Sequence, residues 1–116
     1  MQAGEGDDGI VWYTDYGRGY LGAFDPATRE LREWRSPGEN AGPYGIAIGT
    51  DGRIWYCESR TGRMVAFDPK TEKMEVVPIP TPGAIVRHME TDSTRHRVWL
   101  ALSGTGRLGK IEVGAK

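Results

Sequence analysis

The sequence predicts an all-β chain built from short antiparallel strands. Three observations carry that expectation. Glycine and proline make up about one residue in five, with seventeen Gly and seven Pro in 116 residues, well above average usage. They fall between short β-type runs that hold four Trp, five Tyr and two Phe, the pattern of strands joined by tight turns. No stretch of ten or more residues shows a clean 3.6-residue apolar period, which argues against helix bundles and doubly wound folds.

An internal repeat organises these runs. Asp8-Gly9-Ile10-Val11-Trp12-Tyr13-Thr14-Asp15 returns as Asp51-Gly52-Arg53-Ile54-Trp55-Tyr56-Cys57-Glu58, and again, degraded, as Arg97-Val98-Trp99-Leu100-Ala101-Leu102. Trp12 to Trp55 is 43 residues and Trp55 to Trp99 is 44. Phe24-Asp25-Pro26 and Phe67-Asp68-Pro69 keep the register, as do Gly19, Gly62 and Gly106. Four short strands recurring every ~40–45 residues are the signature of a β-propeller.

Each period divides into strands A to D. Strand A is read at 45–48 and about 86–90, strand B at 10–15, 53–58 and 97–102. Strand C is read at 20–24, 63–67 and 107–113, and strand D at 31–35 and 74–77. The Asp-Gly pairs suit a hairpin turn that needs positive φ. Asp25-Pro26 and Asp68-Pro69 place Asp and Pro at the first two positions of a type I turn. Pro37, Pro43, Pro78, Pro80 and Pro82 fall in the D-to-A links, where no ladder N–H is needed. Strand B is apolar on both faces, with Ile54 and Tyr56 on one and Trp55 and Cys57 on the other, as suits a blade between two neighbours.

The ends shape the expected blade count. Ala3 stands where the second repeat has Ile46, and Gly4 to Asp7 are acidic and Gly-rich, so the first unit is expected to start at strand B. The third has A, B and C and then Gly114-Ala115-Lys116. The expectation is about ten strands in about 2.5–3 blades, over residues 8–35, 44–77 and 86–113. A propeller closes with roughly four to eight blades, so this is a partial propeller. Its expected partners are the remaining blades or further copies of the chain.

Charge excludes other classes. Fifteen Lys and Arg against sixteen Asp and Glu give a formal charge of -1, which removes the footprint of a nucleic-acid binder and of a polybasic membrane patch. The apolar runs are too short to span a bilayer as helices. No charged-then-apolar leader follows Met1, and the compartment stays unassigned. One cysteine, Cys57, excludes an internal disulfide framework and a Cys-rich zinc site.

Pro43-Tyr44-Gly45-Ile46-Ala47-Ile48, then Asp51 to Glu58, Gly62-Arg63 and Phe67-Asp68-Pro69, resemble the virginiamycin B lyase (streptogramin lyase) family. So do Trp12-Tyr13-Thr14-Asp15-Tyr16 and Val86-Arg87-His88-Met89. The likeness covers about residues 8 to 113. It implies a bacterial propeller that opens a cyclic ester by elimination with Mg²⁺, and a full-length family that often carries an export signal. Related propellers are lactonases or binding scaffolds. The family's catalytic His precedes Gly-Ile at the head of an inner strand, and its Glu ends strand B of the same blade. By motif the Glu position is Glu58 and the His position is Tyr44. In the next unit the His position is Arg87 or, one along, His88, and the Glu position is Leu102. The His-plus-Glu pair is therefore intact in neither unit.

In an up-and-down meander the D-to-A links and B-to-C loops share one face, which gathers Asp15, Tyr44, Glu58, Arg87 and His88. His88 is read as a general base or as a packed histidine heading an inner strand. Glu58 is read as a catalytic carboxylate or Mg²⁺ ligand, or as the charge partner of Arg18 or Arg60. Asp15 shares those alternatives. Arg87 would bind a carboxylate or oxyanion or form a salt bridge, and Tyr44 would line the channel and touch a ligand. Trp12, Trp55, Trp99, Phe24 and Phe67 are read as core between blades, Trp34 as half exposed, His96 as a turn residue and Cys57 as a buried, inert thiol. A Gly-x-Ser-x-Gly elbow is absent, so nothing supports a serine hydrolase.

Overall fold

The computed structural model describes residues 3–5, 9–79, 85–92, 94–103 and 107–112, with side chains over 9–79, 89–92, 94–100 and 108–112. These residues form eleven strands in three antiparallel sheets. The first sheet is β1 (Ala3–Glu5), β2 (Val11–Asp15), β3 (Tyr20–Asp25) and β4 (Glu30–Arg35). The second is β5 (Pro43–Ile48), β6 (Ile54–Glu58), β7 (Arg63–Asp68) and β8 (Lys73–Pro78), and the third is β9 (Ile85–Asp92), β10 (Arg97–Ser103) and β11 (Arg107–Glu112). Among the described residues no helix is long and apolar enough to cross a membrane.

Ten strands lie where the repeat puts them, within about two residues. The eleventh, β1, corrects the expectation that the first unit starts at strand B. Gly4 pairs with Trp12, and Ala3 and Glu5 with Tyr13 and Val11. A ladder uses main-chain N–H and C=O groups, which Gly and acidic residues supply as well as Ile does. Side-chain pattern therefore under-reads such a strand.

The three sheets are meanders whose first strands adjoin: β1 touches β5, and β5 touches β9. A core lies between each adjacent pair of sheets. Trp12, Leu21 and Ala23 of the first sheet pack on Ile46, Ile54, Tyr56, Val65 and Phe67 of the second. Ala47, Trp55, Cys57, Met64 and Ala66 of the second pack on Met89, Val98 and Leu100 of the third. The second sheet is thus apolar on both faces because both are covered, and every residue of β6 is buried. Burying a side chain such as Phe67 is worth about 1.5–3 kcal/mol. The Trp12 ring lies 5.7 Å from Trp34 and 5.8 Å from Phe67.

Trp99 and Phe24 are only half buried. Phe24 pairs with Val11 on the face of the first sheet turned away from the second. Trp99 holds on the third sheet the position of Trp12 and Trp55, with no fourth sheet against it among the described residues. Both are core positions of the repeat at a face the described residues leave open. Leu31 on β4 and Leu108 on β11 are exposed.

The turns follow from their residues. Gly19 and Gly62 have φ of 80° and 69°, and their N–H groups donate to the carbonyls of Asp15 and Glu58 at 2.8 and 2.9 Å. That left-handed backbone is open to glycine without a Cβ penalty, which explains their fixed register. The Asp-Pro turns run one residue longer than a simple type I turn. Arg29 and Glu72, both at positive φ, donate back to the carbonyls of Asp25 and Asp68 at 2.7 Å. His96, at φ 53°, takes the turn position of Gly9 and Gly52.

Candidate functional site: the loop face

The B-to-C loops and D-to-A links meet on one face. Ser36 N–H donates to Gly19 O at 2.8 Å, Ser59 N–H to Gly42 O at 2.9 Å and Arg60 N–H to Ala41 O at 3.0 Å. The link 36–42 is thereby laced to the loop after β2 on one side and the loop after β6 on the other. Between them opens a cleft of ≈ 270 Å³ whose wall includes Tyr16, Arg18, Arg35, Gly38, Asn40 and Arg60.

Glu58 sits beneath this face, fully buried. Its Oε1 accepts from Thr61 Oγ1 at 2.7 Å and from Arg63 Nη2 and Nε at 2.7 and 3.1 Å. Its Oε2 accepts from Gly38 N at 2.8 Å and from the Ser36 hydroxyl. Ser36 gives its one proton to Glu58, so the Tyr56 hydroxyl, 2.8 Å away, donates to Ser36. Burial alone would raise the Glu58 pKa, but the donors from Ser36, Thr61, Gly38 and Arg63 outweigh it and hold the carboxyl below its usual range. Burial pushes the Tyr56 phenol up. The expectation of Arg18 or Arg60 as the partner of Glu58 is corrected. Arg63 stands directly across the β6–β7 ladder from Glu58, which brings the guanidinium to the carboxylate without any reach between sheets.

Asp15, at the same repeat position on β2, stays within its own loop. It accepts from Arg18 N at 3.1 Å and pairs with Arg18 Nη1 at 3.3 Å. Arg18 also grips Glu33 through two hydrogen bonds of 2.9 and 3.1 Å. Tyr44, half buried, packs edge-on to Tyr16 with centroids 6.1 Å apart, and its carbonyl accepts from Thr14 Oγ1 at 2.7 Å. Arg87 and His88 lie on β9, with His88 opposite Ala101; their side chains lie outside the described residues. Gly106 and Ser103-Gly104 fall wholly or partly outside them too.

The structure brings Tyr44 to Tyr16, and Tyr16 to Arg60, whose guanidinium carbon lies 4.4 Å from the ring centroid. It does not leave Glu58 open to the cleft. Gly38 links the two, lining the cleft while its N–H holds Glu58. The cleft residues Arg35, Asn40 and Arg60 escaped sequence reasoning as ligand candidates. A signal existed: Arg18, Arg35 and Arg60 all sit in or beside the loops assigned to one face. Among the described residues no group of three or more His, Cys, Asp or Glu is placed to hold a metal ion. Every oxygen of Glu58 is already engaged, so this carboxylate does not fit a Mg²⁺ ligand in this arrangement.

Three adjoining antiparallel meanders, two of four strands and one of three among the described residues, with a loop-built cleft at one end, define a β-propeller segment. Solved structures agree. A streptogramin B lyase superposes with a TM-score of 0.81 at 20% identity, covering 99% of this chain and 41% of that one. A virginiamycin B lyase from Staphylococcus aureus gives 0.78 at 18%, covering 98% and 41%. Kuenenia stuttgartiensis hydrazine synthase gives 0.77 at 14%, covering 95% and 31%. These likenesses show the fold, and the chain spans about two-fifths of the length of the two lyases. No curated protein is a significant match. Residues 1–116 match the virginiamycin B lyase family profile, and the chain belongs to that family.

Proposed function

We propose that this chain contributes a ligand-binding face to a propeller of the virginiamycin B lyase family, acting as a binding scaffold. Further blades, or further copies of the chain, complete the ring. The supporting observation is the commitment of Glu58. A carboxylate that accepts from Ser36, Gly38, Thr61 and Arg63 holds the loop face in shape and has no lone pair left for proton transfer. Tyr44, at the family's His position, packs edge-on to the cleft residue Tyr16 and offers a phenol where the family has an imidazole. The loop-face cleft then receives a small molecule by contact alone. The test is calorimetric titration of the chain with cyclic esters, with and without a chelator. Affinity that is indifferent to chelator and comes with no turnover supports the scaffold; chelator-sensitive turnover overturns it.

Family membership favours a second reading, in which the completed ring is a lyase or lactone-opening enzyme for a cyclic ester. In that reading His88 takes the proton, Arg87 and Asp15 help hold the substrate, and Mg²⁺ polarises the carbonyl when bound. It requires Mg²⁺-dependent turnover that disappears in His88→Ala while the variant keeps the parent's melting curve.

A further inference from the structure

We propose that the cleft between the loops after β2 and β6 is an oxyanion site that takes a small carboxylate or phosphate group, with Arg35 and Arg60 as its binding residues. This deepens the loop-face reading and rests on it.

The cleft wall carries three guanidinium groups, Arg18, Arg35 and Arg60, and no carboxylate side chain, in a chain whose formal charge is -1. The three differ in how far they are neutralised. Arg18 is matched by Glu33 and Asp15. Among the described residues, Arg35 and Arg60 have no carboxylate partner. Arg60 stacks on the Tyr16 ring and gives Nη1 to Asn40 Oδ1 at 2.9 Å. Those two contacts orient the guanidinium without cancelling its charge. Arg35, the last residue of β4, is exposed, and among the described residues no hydrogen bond or ion pair holds its side chain. Glu39, the carboxylate of the same link, is exposed and outside the cleft wall.

The chemistry then selects the ligand. A guanidinium presents planar, paired donors that match carboxylate and phosphate oxygens. Asn40, having used its carbonyl oxygen on Arg60, keeps its amide N–H groups to donate. Tyr16 offers the ligand a flat apolar edge. At ≈ 270 Å³ the space suits a small molecule and not a chain segment.

The test uses the whole chain and two probes, inorganic phosphate and acetate, followed through the Arg Nε–Hε and loop amide NMR signals. Expected are shifts at Arg35, Arg60 and Asn40, and affinity at least ~10-fold weaker in the Arg35→Gln/Arg60→Gln double variant. Arg32→Gln, which removes a guanidinium paired with Glu72, should change affinity less than ~2-fold. The stronger probe separates a phosphate ligand from a carboxylate one. Arg35→Lys/Arg60→Lys, which keeps charge and loses the fork, should fall between wild type and the Gln pair, and circular dichroism verifies folding of each variant. Equal binding by wild type and the Gln pair, or equal loss in Arg32→Gln, overturns the proposal. Neutral γ-butyrolactone shifting the same amides equally in wild type and the Gln pair would overturn the oxyanion assignment and leave the ligand face standing. Loop amides that respond to none of the three probes would overturn both.

Discussion

Tyr13 and Tyr56 hold the same place in successive repeats, and their hydroxyls take different partners. Tyr56 reaches across to Ser36 in the link from the first sheet, at 2.8 Å. Tyr13 stays on its own sheet and donates to Glu33 at 2.9 Å. Two things differ: among the described residues no link from a preceding sheet stands beside Tyr13, and the residue across the ladder is not the same. Val65 stands directly opposite Tyr56, whereas Tyr13 is opposite Gly22. A Cβ on Gly22 would come within 2.0 Å of Tyr13 Cζ, so the glycine is what lets the ring lie flat over the strand.

Burial, then the Glu33 hydrogen bond and charge, push the Tyr13 pKa up to about 12. The protonated phenol is therefore favoured by folding. Between pH ~10 and about 12 the unfolded chain releases this proton and the folded chain keeps it, so stability falls across that window. Gly22→Val should lift the ring, break the Glu33 contact and lower the Tyr13 pKa towards its ordinary value. Ultraviolet titration of the phenolate in wild type, Gly22→Val and Tyr13→Phe checks this. An unchanged titration in Gly22→Val would refute the account.

The repeated tryptophans should differ in energetic weight. Trp12 and Trp55 are 6% and 3% exposed, each closed by the next sheet, and Trp99 is half buried. Truncation to Ala in a packed core costs about 3–5 kcal/mol. Trp12→Ala and Trp55→Ala should fall in that range, and Trp99→Ala should cost about 1 kcal/mol or less in the isolated chain. Urea denaturation at constant m-value measures all three. A Trp99→Ala cost equal to the others would show that this chain already has its open face covered in solution.

Cys57 is 1% exposed. Burial pushes its thiol pKa up, only partly offset by the main-chain N–H groups of Gly45 and its neighbours. A thiol both shielded and kept protonated reacts slowly. Labelling by a disulfide reagent at pH 8 should therefore run at the rate of chain opening and become rapid in urea. Fast stoichiometric labelling of the folded chain would contradict this placement.

The repeat made the fold legible because Trp recurs in all three sheets and Asp-Gly and Asp-Pro in the first two, each answering the same local demand. β1 was hidden because its pairing needs only backbone. Glu58 is legible as a position but not in its partner, since its motif says that a carboxylate ends strand B but not that Arg63 faces it across the ladder. The cleft was less legible still. Arg35 and Arg60 are 25 residues apart and meet only because the link 36–42 folds back along both loops.

The Glu58 cluster yields the sharpest test of a structural carboxylate against a catalytic one. Removing the carboxylate strands Arg63, Thr61, Ser36 and Gly38 N–H together. Breaking a buried pair costs about 3–5 kcal/mol; because Arg63 is 34% exposed, water recovers part of that, and about 2–3 kcal/mol is expected for Glu58→Ala. Ser36→Ala and Tyr56→Phe should each cost about 1 kcal/mol, and their double variant less than the sum, because they share one hydrogen bond. The pH dependence has a definite sign. The folded pKa of Glu58 is lowered, so its contribution is present above the ordinary carboxylate pKa and is lost as pH falls through the folded value. Glu58→Gln should therefore be destabilised at pH 7 and show a flatter acid limb than wild type. Urea curves from pH 3 to pH 7 measure both. Equal stability at pH 7 would mean that the carboxylate is not a structural tie, and would return Glu58 to the list of groups free to act on a ligand.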